Sequence, residues 1–121
     1  MDNIIAWNIR GLNWPNKQED LKAFLHANKV GLIGLMETEI KMAKDNVVVT
    51  RTFPAWRWDN NSTSTIKGRL WIAWQPRRYE VQVIQKFDQI IHSYVTQVTT
   101  KKKFYITFVH GMNHEQQRQP I

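Results

Sequence analysis

The sequence predicts an α/β (α+β) domain in which a mixed sheet carries a helix on one face. An apolar run over 3–7, an amphipathic run over 17–28 and a second apolar run over 30–36 follow one another. A strand, a helix and a strand in about 35 residues form a βαβ unit, so both strands are expected to be parallel and buried on both faces. Turn residues then separate four β-rich runs, which predicts an antiparallel meander: 68–75, 79–86, 91–98 and 103–110.

The helix prediction depends on spacing and on its ends. Leu21, Phe24 and Leu25 share one face at helical spacing. Pro15 prevents the first strand from continuing, and "NWPNK" supplies Asn16 as a helix cap. Residue 28, an asparagine, is expected to end the helix in a left-handed conformation.

The remaining segments give weaker indications of secondary structure. "NNSTST" over 60–65 predicts a polar loop, and "NHEQQRQPI" over 113–121 carries no folding signal. Six tryptophans are compatible with stacking on single-stranded nucleic acid. Because Trp71 and Trp74 lie within a predicted strand, packing in the core is the preferred interpretation for them.

Composition limits the class of protein. The 121 residues suit one domain, and a hydrophobic content of 42% is that of a globular chain. Cysteine is absent, which excludes disulfides and thiolate metal sites. No apolar run reaches the roughly 18 residues of a membrane helix, and Asp2 and Asn8 argue against a signal peptide. We therefore expect an intracellular protein, nuclear or cytoplasmic.

The charge balance favours an anionic partner. The chain has seventeen basic and ten acidic residues, which gives a net charge of +7. Arg77-Arg78 and Lys101-Lys102-Lys103 are each most simply interpreted as solvated turns, and a soluble protein that is merely basic remains an alternative. If the charge does serve binding, the three lysines are candidates for non-specific, electrostatic contacts with DNA.

Two strand ends place polar side chains together. Asn8 ends the first predicted strand and Glu37 follows the second. Ligands of open α/β sheets collect at the carboxyl ends of parallel strands, and an amide beside a carboxylate is suited to Mg²⁺. The alternative is that Asn8 caps a turn and Glu37 solvates a strand end, which spacing alone favours.

Three segments of the sequence resemble a known family. "WNIRGLN", "GLIGLMETEI" and "FYITFVHGMN" are similar to the N-terminal half of the endonuclease/exonuclease/phosphatase (DNase I-like) family. The resemblance is closest to the endonuclease domain of plant LINE-type (non-LTR) retrotransposons, and "GRLWIAW" extends it over nearly the whole chain. It implies that residues 1–121 form one truncated domain, part of a DNase I-like β-sandwich.

The resemblance also implies roles for individual residues. Asn8 would lie in the catalytic pocket, and Glu37 would be the carboxylate that binds Mg²⁺ or Mn²⁺. Asn113 matches an asparagine at the end of a family strand, and His110 stands where the family usually has tyrosine. Arg10 could reach the same phosphate, although a solvated turn is its simpler interpretation.

The family's remaining catalytic groups are not among these residues. They come from a Gly-Asp-x-Asn stretch and a Ser-Asp-His stretch, and neither occurs here. One hypothesis is therefore a fragment of a Mg²⁺-dependent endonuclease, inactive alone and binding metal weakly. The other is a non-catalytic, basic α/β module that binds nucleic acid. Because only one sheet is predicted, we also expect self-association through an uncovered apolar sheet face.

Overall fold

The computed structural model describes residues 3–12, 14–36, 38, 44–61, 70–109 and 116–120, the last without their side chains. The elements in chain order are β1 (Asn3–Asn8), α1 (Pro15–Ala27), β2 (Val30–Met36), α2 (Asp45–Thr52), β3 (Arg57–Asn60), β4 (Leu70–Trp74), β5 (Tyr79–Lys86), β6 (Ile90–Gln97), β7 (Lys103–Val109) and β8 (Gln116–Pro120). Neither of the helices described is long and apolar enough to cross a membrane.

The strands form two sheets where the sequence predicted one. The first sheet has the order β1-β2-β4-β3, and the second has the order β5-β6-β7-β8. The predicted parallel pairing of β1 with β2 is confirmed. The predicted four-strand meander is wrong at its first member, because β4 pairs with β2. A turn in which Gln75 O accepts from the Arg78 and Tyr79 amides carries the chain into the second sheet.

Several local predictions need correction. Trp14, not Asn16, is the N-cap of α1, because Pro15 takes the first helical position, where its missing N–H costs nothing. The left-handed residue after the helix is Lys29, with φ 50°, rather than Asn28. Helix α2 and strands β3 and β8 were not predicted. The predicted burial of β1 on both faces is also wrong, since its residues are half-buried or exposed.

The two sheets pack face to face within this chain. Leu32, Ile72 and Trp74 of the first sheet share one buried cluster with Ile91 and Ile106 of the second. The prediction of a single sheet with an uncovered apolar face is therefore wrong. Self-association itself stays a prediction, although a smaller exposed apolar area would drive it.

A glycine sets the distance between the sheets. A Cβ on Gly34 of β2 would overlap the Phe108 ring of β7. Phe108 is 1% exposed, so its ring fills the space that the missing side chain leaves. Real Cβ atoms do not approach so closely, and this pair therefore requires a glycine in β2.

The helices cover the other face of the first sheet. Leu21 and Leu25 of α1 and Phe53 after α2 pack with Ile33 and Trp71 in a second core cluster. The predicted burial of Trp71 and Trp74 is confirmed, at 0% and 8% exposure. β2 is thus buried on both faces, and β1 is partly covered on both.

Asp45, at the start of α2, is buried and titratable. Burial raises the pKa of its carboxyl, and the hydrogen bond from Asn60 Nδ2 to Oδ2 at 3.0 Å offsets part of that rise. The folded chain therefore holds this proton more tightly than the unfolded chain. The associated stability is complete below the ordinary pKa of about 3.9 and is lost as the pH rises through the raised value.

Replacement of the Asp45 carboxylate tests the direction in which stability changes with pH. The Asp45→Asn variant removes the titration, so its free energy of unfolding relative to the native chain should increase between about pH 4 and pH 7. Urea unfolding at several pH values measures this difference. A difference that does not change with pH would show that Asp45 titrates alike in the folded and unfolded chains.

Candidate functional site

The last residues of β1 and β2 and the first residue of β4 lie side by side at one end of the first sheet. Asn8 is paired with Met36 across the parallel ladder, and Met36 is paired with Leu70 on the other side. The Ile9 amide donates to the Met36 carbonyl oxygen at 3.0 Å and extends the ladder by one bond. We call this group of strand ends the carboxyl edge, after the carboxyl ends of β1 and β2.

A tight turn leads the chain away from the carboxyl edge. Gly11 has a φ of 76°, a left-handed conformation that glycine adopts without strain. The Trp14 amide donates to the Gly11 carbonyl oxygen at 2.9 Å. The buried Gln18 side chain donates to the Leu12 carbonyl oxygen, also at 2.9 Å. The turn is therefore fixed against α1, and Arg10 has a defined place beside the strand end.

A cleft of about 450 Å³ opens beside this turn. Its lining residues come from the end of β1 and from the first turns of α1: Trp7, Asn8, Ile9, Arg10, Lys17 and Asp20. Asn8 is half-buried, whereas Arg10, Lys17 and Asp20 are exposed. The structure therefore places Asn8 and Arg10 in the wall of the same cleft.

Lys17 and Asp20 are the site residues that sequence reasoning missed. Both lie on the polar face of α1, three residues apart, so helical periodicity places them on one side. The available signal was the position of the helix: in a βαβ unit whose helix starts at Pro15, soon after β1 ends, the first turns of the helix lie next to the end of β1.

Asn61 joins the two sheets at the carboxyl edge. Its side-chain nitrogen donates to the carbonyl oxygens of Phe87 and Asp88 at 2.9 and 2.8 Å. Its side-chain oxygen accepts from the Leu70 amide at 3.1 Å. Asn61 is 4% exposed, so the β5–β6 turn is held against the start of β4 by buried hydrogen bonds.

The other candidate residues of this edge lie outside the described residues. These are Glu37, His110 and Asn113. The elements before them are described: β2 ends at Met36, next to Asn8. β7 ends at Val109, one residue after Phe108, which packs on Gly34. The direction of both strands is compatible with the predicted site.

The three lysines lie elsewhere. Lys101 and Lys102 form the β6–β7 turn, and Lys103 begins β7. Lys102 shares a groove with Asn3, at the opposite end of β1 from Asn8. At about 3.3 Å per residue the two ends of this strand are roughly 17 Å apart. The structure therefore does not bring these lysines together with Asn8 and Arg10.

The chemistry of the cleft favours an anion. Its described lining offers two cations, one carboxylate and one amide. Among the described residues no group of three carboxylate or imidazole side chains is placed to hold a metal ion. Asn8 and Asp20 alone would leave most of a Mg²⁺ coordination shell to water, and the adjacent cations oppose it. A metal at this edge therefore requires a further carboxylate.

Comparison with known proteins shows the fold. The sequence matches no protein-family model and no curated protein. The structure is similar to the human Nocturnin catalytic domain with bound sulfate anion, with a TM-score of 0.55 and 12% identity over 84% of this chain and 47% of that chain. It is also similar to an endonuclease/exonuclease/phosphatase from Bacteroides vulgatus, with a TM-score of 0.57 and 9% identity over 86% of this chain and 49% of that one.

The described chain therefore has a mixed α+β fold that is similar to the fold of endonuclease/exonuclease/phosphatase, DNase I-like domains. The chain spans about half the length of the solved structures that it matches. The predicted fold class is confirmed.

Proposed function

We propose that this chain is part of a Mg²⁺-dependent endonuclease of retrotransposon type that cleaves phosphodiester bonds, and that the 121 residues alone are inactive. The observation that carries the proposal is the cleft at the carboxyl edge, where Asn8 and Arg10 meet in a chain with the DNase I-like fold. The retrotransposon assignment depends on the sequence resemblance.

The described residues would bind the phosphate. Arg10 and Lys17 supply positive charge at the cleft, and guanidinium and ammonium groups form the strong, charge-assisted hydrogen bonds that phosphate oxygens accept. The Asn8 amide can donate to the same group. Because the Gly11 turn and Gln18 fix the end of β1, these groups would meet the substrate with little loss of freedom.

Glu37 would provide the carboxylate for the metal. It follows Met36, whose carbonyl oxygen accepts a hydrogen bond from the Ile9 amide just after β1. A bound Mg²⁺ would stabilise negative charge on the phosphate. Asn113 and His110 are proposed to contact the same phosphate, by amide and imidazole hydrogen bonds.

A metal titration tests the site. We expect Mg²⁺ or Mn²⁺ to bind with a dissociation constant of about 1 mM or weaker, because water would fill most of the coordination shell. Glu37→Gln should abolish the heat of binding in calorimetry. Glu80→Gln, an exposed change on β5, is the matched control and should keep it. Equal binding by the Glu37→Gln protein would remove this residue from the site.

The alternative function is a non-catalytic module that binds nucleic acid through charge, and the net charge of +7 favours it. It requires no metal at Glu37, so the same titration separates the two functions.

Both functions predict salt-dependent binding to duplex DNA. We expect binding without sequence preference and a dissociation constant in the micromolar range or weaker. The logarithm of the affinity should fall by about 0.9 per log unit of salt for each phosphate neutralised. Arg10→Gln should lower the slope by about 0.9 if Arg10 contacts one phosphate. Fluorescence anisotropy at several salt concentrations measures it. An affinity that does not change with salt would argue against electrostatic binding.

A further inference from the structure

A second concave site lies at the opposite end of β1. A groove of about 1070 Å³ separates the β4–β5 turn from the β6–β7 turn, and the start of β1 contributes Asn3 and Ile4 to its wall. The two basic runs of the sequence meet here, although they are far apart along the chain. Arg77 and Arg78 come from one turn, and Lys102 comes from the other.

The groove is uniformly basic. None of the described residues that line it is acidic. The remaining polar side chains of the lining carry amides or hydroxyls: Asn3, Gln75, Tyr79, Gln97, Thr99 and Thr100. Arginine, lysine, threonine and glutamine side chains are the groups that contact phosphate oxygens along nucleic acids. Arg77 and Lys102 are exposed, so a ligand can reach both charges.

The β4–β5 wall is held by hydrogen bonds. Arg78 Nε donates to Gln75 Oε1 at 3.1 Å, and Gln75 Nε2 donates to the Val30 carbonyl oxygen at 2.9 Å. The Val98 amide donates to the Arg78 carbonyl oxygen at 2.9 Å, which connects this wall to the other. The Arg78 guanidinium therefore has a fixed orientation in the groove.

The β6–β7 wall is equally well defined. The Gln97 amide donates to the Lys102 carbonyl oxygen, and the Lys101 amide donates to the Gln97 carbonyl oxygen, both at 2.8 Å. Thr100 Oγ1 donates to Gln97 Oε1 at 2.7 Å. Lys101 has a φ of 63°, which reverses the chain so that Lys102 lines the groove. Both walls are therefore formed before a ligand arrives.

The geometry points to a second nucleic-acid site: this basic groove binds the phosphodiester backbone. The aromatic side chains in the lining, Tyr79 and Phe104, are 3% and 8% exposed and offer no face on which a base could stack. Binding in the groove therefore depends on the charge of the nucleic-acid backbone and not on the base sequence. The groove lies roughly 17 Å from the carboxyl edge along β1, so charge changes in it test this second site separately from the metal site proposed at that edge.

Charge reversal in the groove is the test. Arg77→Glu/Lys102→Glu is compared with Lys22→Glu/Arg51→Glu, exposed helix positions that give the same change in net charge. Binding of labelled single-stranded and duplex DNA is followed by anisotropy in EDTA, between about 50 and 200 mM salt. EDTA removes any contribution from a metal at the carboxyl edge.

The groove variant should bind at least about tenfold more weakly, with a salt slope lower by about 1.8 for duplex DNA and about 1.4 for single strands, whereas the control should change by less than about threefold. A larger loss for one of the two DNA forms identifies which form the groove takes. Equal loss in the groove variant and the control would overturn the inference. So would stronger binding to phosphatidylcholine–phosphatidylserine vesicles than to DNA. If the glutamate variant does not fold, Arg77→Gln/Lys102→Gln should lower the slope by the same amount.

Discussion

Replacing Phe108 by alanine is expected to lower the free energy of unfolding by about 3–5 kcal/mol. The ring is 1% exposed and occupies the space over Gly34, so its removal leaves a cavity between the two sheets. Urea unfolding followed by tryptophan fluorescence measures the loss. Phe87→Ala is the matched control, because Phe87 is 58% exposed. We expect that control to cost less than about 0.5 kcal/mol.

Gly34 gives the complementary test. Gly34→Ala should destabilise the chain by about 1–3 kcal/mol through overpacking. Combined with Phe108→Leu, it should cost less than the sum of the two single changes, because the smaller side chain relieves the contact. If Phe108→Ala cost no more than Phe87→Ala, the two sheets would not share a core in solution.

The second large effect concerns catalysis. The purified 121-residue chain should not nick supercoiled plasmid in the presence of Mg²⁺. General acid–base groups are worth about 10²–10⁴-fold in rate, and the stretches that supply them in the resembling family do not occur in this sequence. Gel electrophoresis of plasmid incubated with chain and metal provides the measurement. Nicking that co-purifies with the chain and vanishes in Glu37→Gln would show that these residues suffice for cleavage.

The βαβ unit could be predicted because its signals are local. "VGLIGLM" is an apolar run between a helix end and a charged residue, and β2 has the predicted bounds. The division into two sheets could not be predicted in this way. Alternation in Phe104, Ile106 and Phe108 shows that one face of β7 is buried, but it does not show which sheet covers that face. That choice depends on the Gln75–Tyr79 turn, which leads β5 into the second sheet, and on the contact of Gly34 with Phe108, which joins residues far apart in sequence.

The candidate site was predictable in part for the same reason. Asn8 and Arg10 follow from where β1 ends, whereas Lys17 and Asp20 depend on how α1 is oriented beside that end. The basic groove depends on tertiary structure alone, since Arg78 belongs to the turn that connects the two sheets and Lys102 to the β6–β7 turn. Each basic run by itself is compatible with a solvated turn. Only the position of the two runs on opposite walls of one groove favours a bound ligand.

The location of a bound metal tests the proposed function most directly. Mn²⁺ broadens the NMR signals of nearby amides, so a heteronuclear spectrum of the labelled chain can be followed during a Mn²⁺ titration. We predict that the amides of Asn8, Ile9 and Arg10 broaden first, and that those of the β6–β7 turn, roughly 17 Å away, broaden last. Glu37→Gln should abolish the early broadening. Broadening that spreads without preference for the carboxyl edge, or that is unchanged in Glu37→Gln, would contradict a metal site at the end of β1 and β2.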